Sequence, residues 1–144
     1  MASERKRPSF AEAAVGEGFT AHYRLTPELV REYCGGVDEP LPWRAQGPPL
    51  EAASAPPALL FFMHTRVVGE RFDLAGRVDT RHEAEFFCPV PVGSTVTVTM
   101  RVEDRFQRRG REYVVVEYRS LDEDGRLLCR DRNRVLVDPS PKRG

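Results

Sequence analysis

Every side chain from Ala58 to Met63 is apolar, and the run is bracketed by Pro56-Pro57 on one side and His64-Thr65-Arg66-Val67-Val68 on the other. Proline suits a helix entrance, where its missing N–H would have no intrahelical partner and its φ is already helical. The pattern predicts a helix over 56–68 with no polar face left for water, which belongs in a core. The run is too short for a membrane span, which needs about 20 apolar residues. Downstream the period changes to two. His82, Ala84, Phe86 and Cys88 fall on one face, as do Val96, Val98, Met100 and Val102, and then Val114, Val116 and Tyr118. Alternation of this kind marks strands with one apolar face. A helix followed by antiparallel strands predicts an α+β fold in which the sheet wraps around a central buried helix.

Upstream, Phe19, Ala21, Tyr23 and Leu25 alternate as a first strand. Thr26-Pro27-Glu28 has the cap and first-turn proline of a short helix, whose stripe is Leu29, Val30 and Tyr33 and which Gly35-Gly36 should stop. Residues 37–55 read as an irregular, proline-rich loop, with one helical turn near Glu51 to Ser54. Gly69 to Gly76 reads as a mobile connection, and the sheet proper begins near Val78. Pro89 to Ser94 breaks one strand before the next. Gln107-Arg108-Arg109-Gly110 and Asp122-Glu123-Asp124-Gly125 are hairpin turns, the second with a strong Asp-Gly signal. The expected division is a flexible tail over 1–13, one domain over 14–137 and a C-terminal tail over 138–144.

A chain of 144 residues holds one core of useful size. Its 22 basic and 22 acidic residues cancel, which argues against a nucleic-acid binder. Arg5, Lys6 and Arg7 are followed by no apolar segment, so the N-terminus does not read as a secretory signal. Cys34, Cys88 and Cys129 are odd in number and lack Cys-x-x-Cys spacing, which excludes a simple disulfide or zinc framework. Neither a metal nor a cofactor is expected, and the expected compartment is the cytoplasm.

Ala55-Pro56-Pro57-Ala58, the stretch from His82 through Pro89-Val90-Pro91-Val92-Gly93 to Val96, and the Asp124-Gly125 turn occur in an order and spacing that resemble the hot-dog fold, and within it the MaoC-like dehydratases. Over residues 14–137 the chain is most similar to the non-catalytic, N-terminal type of domain in fatty-acid-synthase-like dehydratases. The A subunit of mycobacterial-type (3R)-hydroxyacyl-carrier-protein dehydratases is of this type. The resemblance implies an acyl thioester of coenzyme A or a carrier protein as ligand. It also implies a dimer, either with itself or with a catalytic MaoC-like subunit. Active members of the family carry an Asp and a His within a pattern like Gly-Asp-x-Asn-Pro-x-His. The matching stretch here is Gly36-Val37-Asp38-Glu39-Pro40-Leu41-Pro42, so Val37 and Pro42 stand at the Asp and His positions. Asp38 is displaced by one residue, and no histidine lies between His22 and His64. A pair able to move a proton on the β-hydroxy thioester is therefore missing.

The weak catalytic candidates are Asp38 and His82. The substrate-contact candidates are His82, Trp43 and the start of the central helix at Ala58, Leu59 and Leu60, where free N–H groups offer an oxyanion-type partner. Trp43, the only tryptophan, also suits a cover over the core. His64 reads as structural, placed to meet the helix C-terminal dipole. Arg105, Arg108, Arg109 and Arg111, and again Arg126, Arg130, Arg132 and Arg134, read either as a solvated sheet face or as docking points for phosphates or an acidic carrier. Two readings result. One is a binding subunit of a dehydratase or hydratase. The other is a hydratase or thioesterase using Asp38, Glu51 or His82 in a changed constellation.

Overall fold

A computed structural model describes residues 6–43 and 49–137. Strand β1 (Gly18–Arg24) leads into helix α1 (Pro27–Gly36), and helix α2 (Pro57–Arg71) precedes β2 (Val78–Phe86), β3 (Thr95–Arg108), β4 (Arg111–Leu121) and β5 (Leu127–Leu136). The strands form one sheet in the order β1-β3-β4-β5-β2, with every neighbouring pair antiparallel. Bulges between Val102 and Asp104 and between Asp79 and Arg81 bend the sheet, which helps it curve over α2.

The core lies between α2 and the concave face of the sheet. Leu59, Leu60, Met63, His64, Val67 and Val68 point from the helix onto Val96, Val98, Met100, Val116, Tyr118 and Cys129. Full burial stabilises each such leucine or valine by about 1.5–3 kcal/mol relative to exposure. The predicted α+β wrap is present, but the helix is not buried all round. Phe62 is 47% exposed and Ala58 is exposed, because one sheet covers only one side of a helix. The far side meets α1, where Tyr33 packs on Phe62 with ring centroids 5.9 Å apart.

Several sequence expectations change. Gly35 and Gly36 are the last residues of α1 rather than its stop, and the chain turns only at Asp38, with φ 54°. Helix α2 runs to Arg71, so Gly69 is helical and His64 is a mid-helix residue; Arg71 occupies the last turn, where a cation suits the dipole. The expected turn near Glu51 is a 3-10 turn over Leu50–Ala52, and Ser54 is already extended, bridged to Pro91. Part of the expected N-terminal tail is docked. Phe10 and Ala13 are buried, Ser9 bridges Asp73, and the Phe10 ring meets Phe72 edge-on at 5.7 Å. Finally, His82, Ala84 and Phe86 do share the inner face of β2, yet the whole strand is exposed. It lies at the sheet edge, with β5 as its one neighbouring strand among the described residues. Cys88, expected on that face, lies beyond the strand and is half-buried.

Candidate functional site

The α2 ridge that faces the sheet is apolar except for His64, and the sheet answers it with polar groups. His64 Nδ1 lies 3.1 Å from Asp131 Oδ2 on β5, and Nε2 lies 2.8 Å from Ser120 Oγ on β4. The imidazole stacks on Tyr118, with centroids 4.7 Å apart and planes 4° from parallel. An ionised carboxylate only accepts, so Nδ1–H donates to Asp131, and in the neutral ring Nε2 accepts the Ser120 O–H. Ser, His and Asp thus stand in the hydrogen-bond order of a nucleophilic triad. All three are closed off from solvent, so no carbonyl reaches Ser120. What the arrangement does is satisfy polar groups that burial would otherwise leave unpaired.

The network continues outward through His82. Its Nδ1 lies 3.4 Å from Asp131 Oδ1 and its Nε2 3.4 Å from Asp79 Oδ2, while Phe61 of α2 packs edge-on at 4.3 Å. Asp79 Oδ1 accepts from Arg77 Nε and from Asn133 Nδ2, each at 3.1 Å. Burial pushes the Asp79 carboxyl up, but the hydrogen bonds from Asn133, Arg77 and His82 and the Arg77 charge outweigh it, and the net displacement is below the usual aspartate range. Burial raises the Tyr118 phenol well above its ordinary value, the nearby carboxylates adding to this and Arg77 opposing it, so the ring against His64 stays neutral. Cys129, directly opposite Ser120 in the β4–β5 ladder, is pushed up to about 12 by burial and then by Asp131, which leaves it an inert thiol. Within this hydrogen-bonded network His82 and Asp79 reach solvent, with side chains 27% and 32% exposed, while His64, Ser120, Asp131 and Asn133 are buried.

The other predicted residues are distributed differently. Leu59 and Leu60 bury their side chains in the core, and Leu59 N–H already donates to Pro56 O at 3.0 Å, which leaves the helix start a poorer oxyanion partner than expected. An open groove of about 330 Å³ does lie there, bordered by Ser54, Ala55, Pro57, Phe86, Phe87, Cys88 and Pro89. Phe86 and Phe87 are 45% and 49% exposed on its rim. Ala55 N–H donates to Val90 O at 2.8 Å and fixes one wall. Trp43 packs partly against the core, with the Arg31 guanidinium 5.3 Å from its ring. Asp38 is exposed and, among the described residues, forms no side-chain hydrogen bond or ion pair; Glu51 is exposed as well. The structure therefore joins His82 to α2 through Phe61 but joins neither Asp38 nor Glu51 to a histidine.

Sequence reasoning missed Ser120, Asp131, Asp79, Arg77 and Asn133. One signal was available: in Cys129-Arg130-Asp131-Arg132-Asn133-Arg134-Val135 the period of two puts Asp131 and Asn133 on the same face as Cys129 and Val135. The arginines of that strand lie on the outer face, as read. Arg130 pairs with Glu117 at 3.2 Å and Arg132 with Glu103 at 2.8 Å. Among the described residues no group of three His, Cys, Asp or Glu side chains is arranged to hold a metal ion, and no helix is long and apolar enough to cross a membrane.

No family model matches the sequence, and neither does any curated protein. Solved structures do match. A MaoC-like dehydratase from Rhodospirillum rubrum superposes with a TM-score of 0.69 at 20% identity, over 90% of this chain and 95% of that one. An R-hydratase from Pseudomonas aeruginosa gives 0.73 at 14% identity, over 91% and 86%. The C-terminally truncated HadBC (3R)-hydroxyacyl-ACP dehydratase complex from Mycobacterium tuberculosis gives 0.71 at 19% identity, over 88% and 99%. The fold of this chain is the hot-dog fold of the MaoC-like dehydratases.

Proposed function

We propose that this chain is an acyl-thioester-binding hot-dog subunit of a (3R)-hydroxyacyl dehydratase or enoyl hydratase system, and that it lacks the acid–base pair of the active members. The observation that carries this reading is the commitment of His64 and His82. His64 is sealed between Asp131 and Ser120, both ring nitrogens of His82 face carboxylates, and Pro42 stands where the resemblance places the catalytic histidine. Among the described residues Asp38 has no imidazole partner.

The subunit pairs through β2 with a second copy or with a catalytic MaoC-like subunit. An edge strand exposed along its whole length, with Val78, Phe86 and Phe87 bare, is a template for pairing. The thioester, carried by coenzyme A or by a carrier protein, lies along the groove at the start of α2, with His82, Phe61 and Trp43 toward its acyl end. Three free cysteines fit work in the cytoplasm.

A second reading is favoured by one observation: His82 combines solvent access with a carboxylate, Asp79, held ionised by Arg77 and Asn133. A rearranged active site would be built there. Turnover of enoyl thioesters by the purified chain, alone and after addition of a catalytic subunit recovered by co-purification, separates the two. The first reading expects activity only with the partner.

A further inference from the structure

A sheet that curves over α2 turns its convex face outward, yet that outer face holds a hollow. A cavity of about 250 Å³ opens between Asp104 and Phe106 of β3, Val115 of β4, Arg134 of β5 and Arg81 of β2. A bulge stands on each side of it, between Val102 and Asp104 on β3 and between Asp79 and Arg81 on β2. Bulges bend a strand and re-aim side chains, and the residues that follow these two, Asp104 and Arg81, both line the hollow. In the ladder Asp104 is opposite Val115, Val115 opposite Arg134, and Arg134 opposite Arg81. One row across four strands thus sets a carboxylate, an apolar side chain and two guanidinium groups side by side. The two arginines face each other as like charges, an arrangement that costs stability.

Most of the charge around the hollow is matched. Arg81 pairs with Glu83 at 2.5 Å and Arg132 with Glu103 at 2.8 Å. Two groups are left over. Among the described residues the Arg134 guanidinium has no carboxylate partner; its Nε donates to Thr80 Oγ1 at 3.4 Å and its carbon lies 6.0 Å from the Tyr113 ring centroid, so both Nη groups are unengaged. Asp104 forms no ion pair among the described residues either, and its Oδ1 accepts only the Arg105 backbone N–H at 2.8 Å. These groups have opposite signs and line one hollow, but the strand that carries Val115 keeps them apart. Two strand spacings put their Cα atoms about 9–10 Å from each other.

The pair of charges selects the occupant. A phosphate drawn to Arg134 would be repelled by Asp104 and Glu83, and a metal ion would face three arginines. A ligand that carries both an ammonium and a carboxylate answers both groups. In an α-amino acid these are about 3 Å apart across the N–Cα–C bonds. One charge-assisted hydrogen bond of about 2.8 Å at each end brings the span to about 8–9 Å, close to the strand-imposed distance. At about 30 Å³ per water the cavity has the volume of about eight waters, which suits a molecule the size of leucine. An apolar bed is present: Val115 is buried to 8% exposure, and the Phe106 ring is held by stacking on Tyr113 at 5.1 Å.

We propose that this hollow binds a free α-amino acid with an apolar side chain, its ammonium on Asp104, its carboxylate on the Nη groups of Arg134 and its side chain on Val115 and Phe106. The site lies across the sheet from α2, apart from the groove at the helix start, and does not depend on the thioester-binding reading.

The test follows backbone amide shifts of the full-length chain by NMR during titration with L-leucine and L-phenylalanine. Two analogues of leucine each lack one charge: 4-methylpentanoate has no ammonium and 3-methylbutylamine no carboxylate. The expected result is saturable shifts at Asp104, Phe106, Val115 and Arg134 with the amino acids, and affinity about tenfold or more weaker for each analogue. Asp104→Asn and Arg134→Gln keep side-chain shape at positions outside the core, and each should weaken leucine binding about tenfold or more with the amide spectrum otherwise retained. Arg101→Gln, on the same face but outside the hollow, should bind as the parent does. Absence of saturable shifts with both amino acids overturns the proposal, as does equal binding of either analogue to the parent, a comparison that needs no variant to fold. Parent-like affinity in the folded Asp104→Asn or Arg134→Gln variant overturns it as well. Self-association that Arg134→Gln abolishes, without amino-acid binding, also overturns it, in favour of an interface between copies of the chain.

Discussion

His64 and Asp131 meet across 3.1 Å in the centre of the core, one from the middle of α2 and the other from the inner face of β5. This contact fixes the azimuth of the helix against the sheet more specifically than apolar packing does, because rotating α2 by one residue would remove His64 from both Asp131 and Ser120.

Removing one partner strands the other. His64→Ala leaves a buried carboxylate and a buried hydroxyl without their partner, and the expected loss is about 3 kcal/mol or more of unfolding free energy. Asp131→Ala should cost a similar amount, and the double variant clearly less than the sum. Urea unfolding of the three variants checks this. Additive losses would mean that the two residues act independently.

Acid sensitivity follows from Asp79. Its folded carboxyl lies below the unfolded value of about 3.9, so its contribution to stability is fully present above that pH and is lost as pH falls through the lower folded value. Asp79→Asn should lower stability at neutral pH and flatten the decline below pH 4. Melting temperatures of parent and variant from pH 7 to pH 2 show whether the curves converge in acid as expected.

Much of this was legible in the sequence. Pro56-Pro57 and the apolar run after it place α2, and the alternation in β3 and β4 gives the inner face from Val96 to Val102 and from Val114 to Tyr118. The exposure of β2 was not legible, because Ala84 and Phe86 alternate as a core strand would and only the strand order reveals an edge. Docking of Phe10 escaped for a similar reason: a single aromatic in a polar stretch has no period. His64 reads as structural, yet its partners are 56 and 67 residues away, so no local spacing points to Ser120 or Asp131.

Assembly should depend on the bare end of β2. Phe86→Lys places a charge on the exposed edge without disturbing a buried side chain, and it should shift the protein from dimer to monomer at micromolar concentration. Light scattering after size exclusion reads this directly. A parent protein that is already monomeric would remove β2 pairing from the account.

The most direct measurement is the hydration rate of a crotonyl or longer enoyl thioester by the purified chain, free of any partner. General acid–base groups contribute about 10²–10⁴-fold each, so a chain whose His64 and His82 face carboxylates and whose His22 meets only Thr97 should turn over at a small fraction of an ordinary enzymatic rate. Asp38→Asn should leave that residue of activity unchanged, and a catalytic subunit should restore the full rate. A normal rate from the chain alone, abolished by His82→Ala or Asp38→Asn, would contradict the non-catalytic reading and place the chemistry in this subunit.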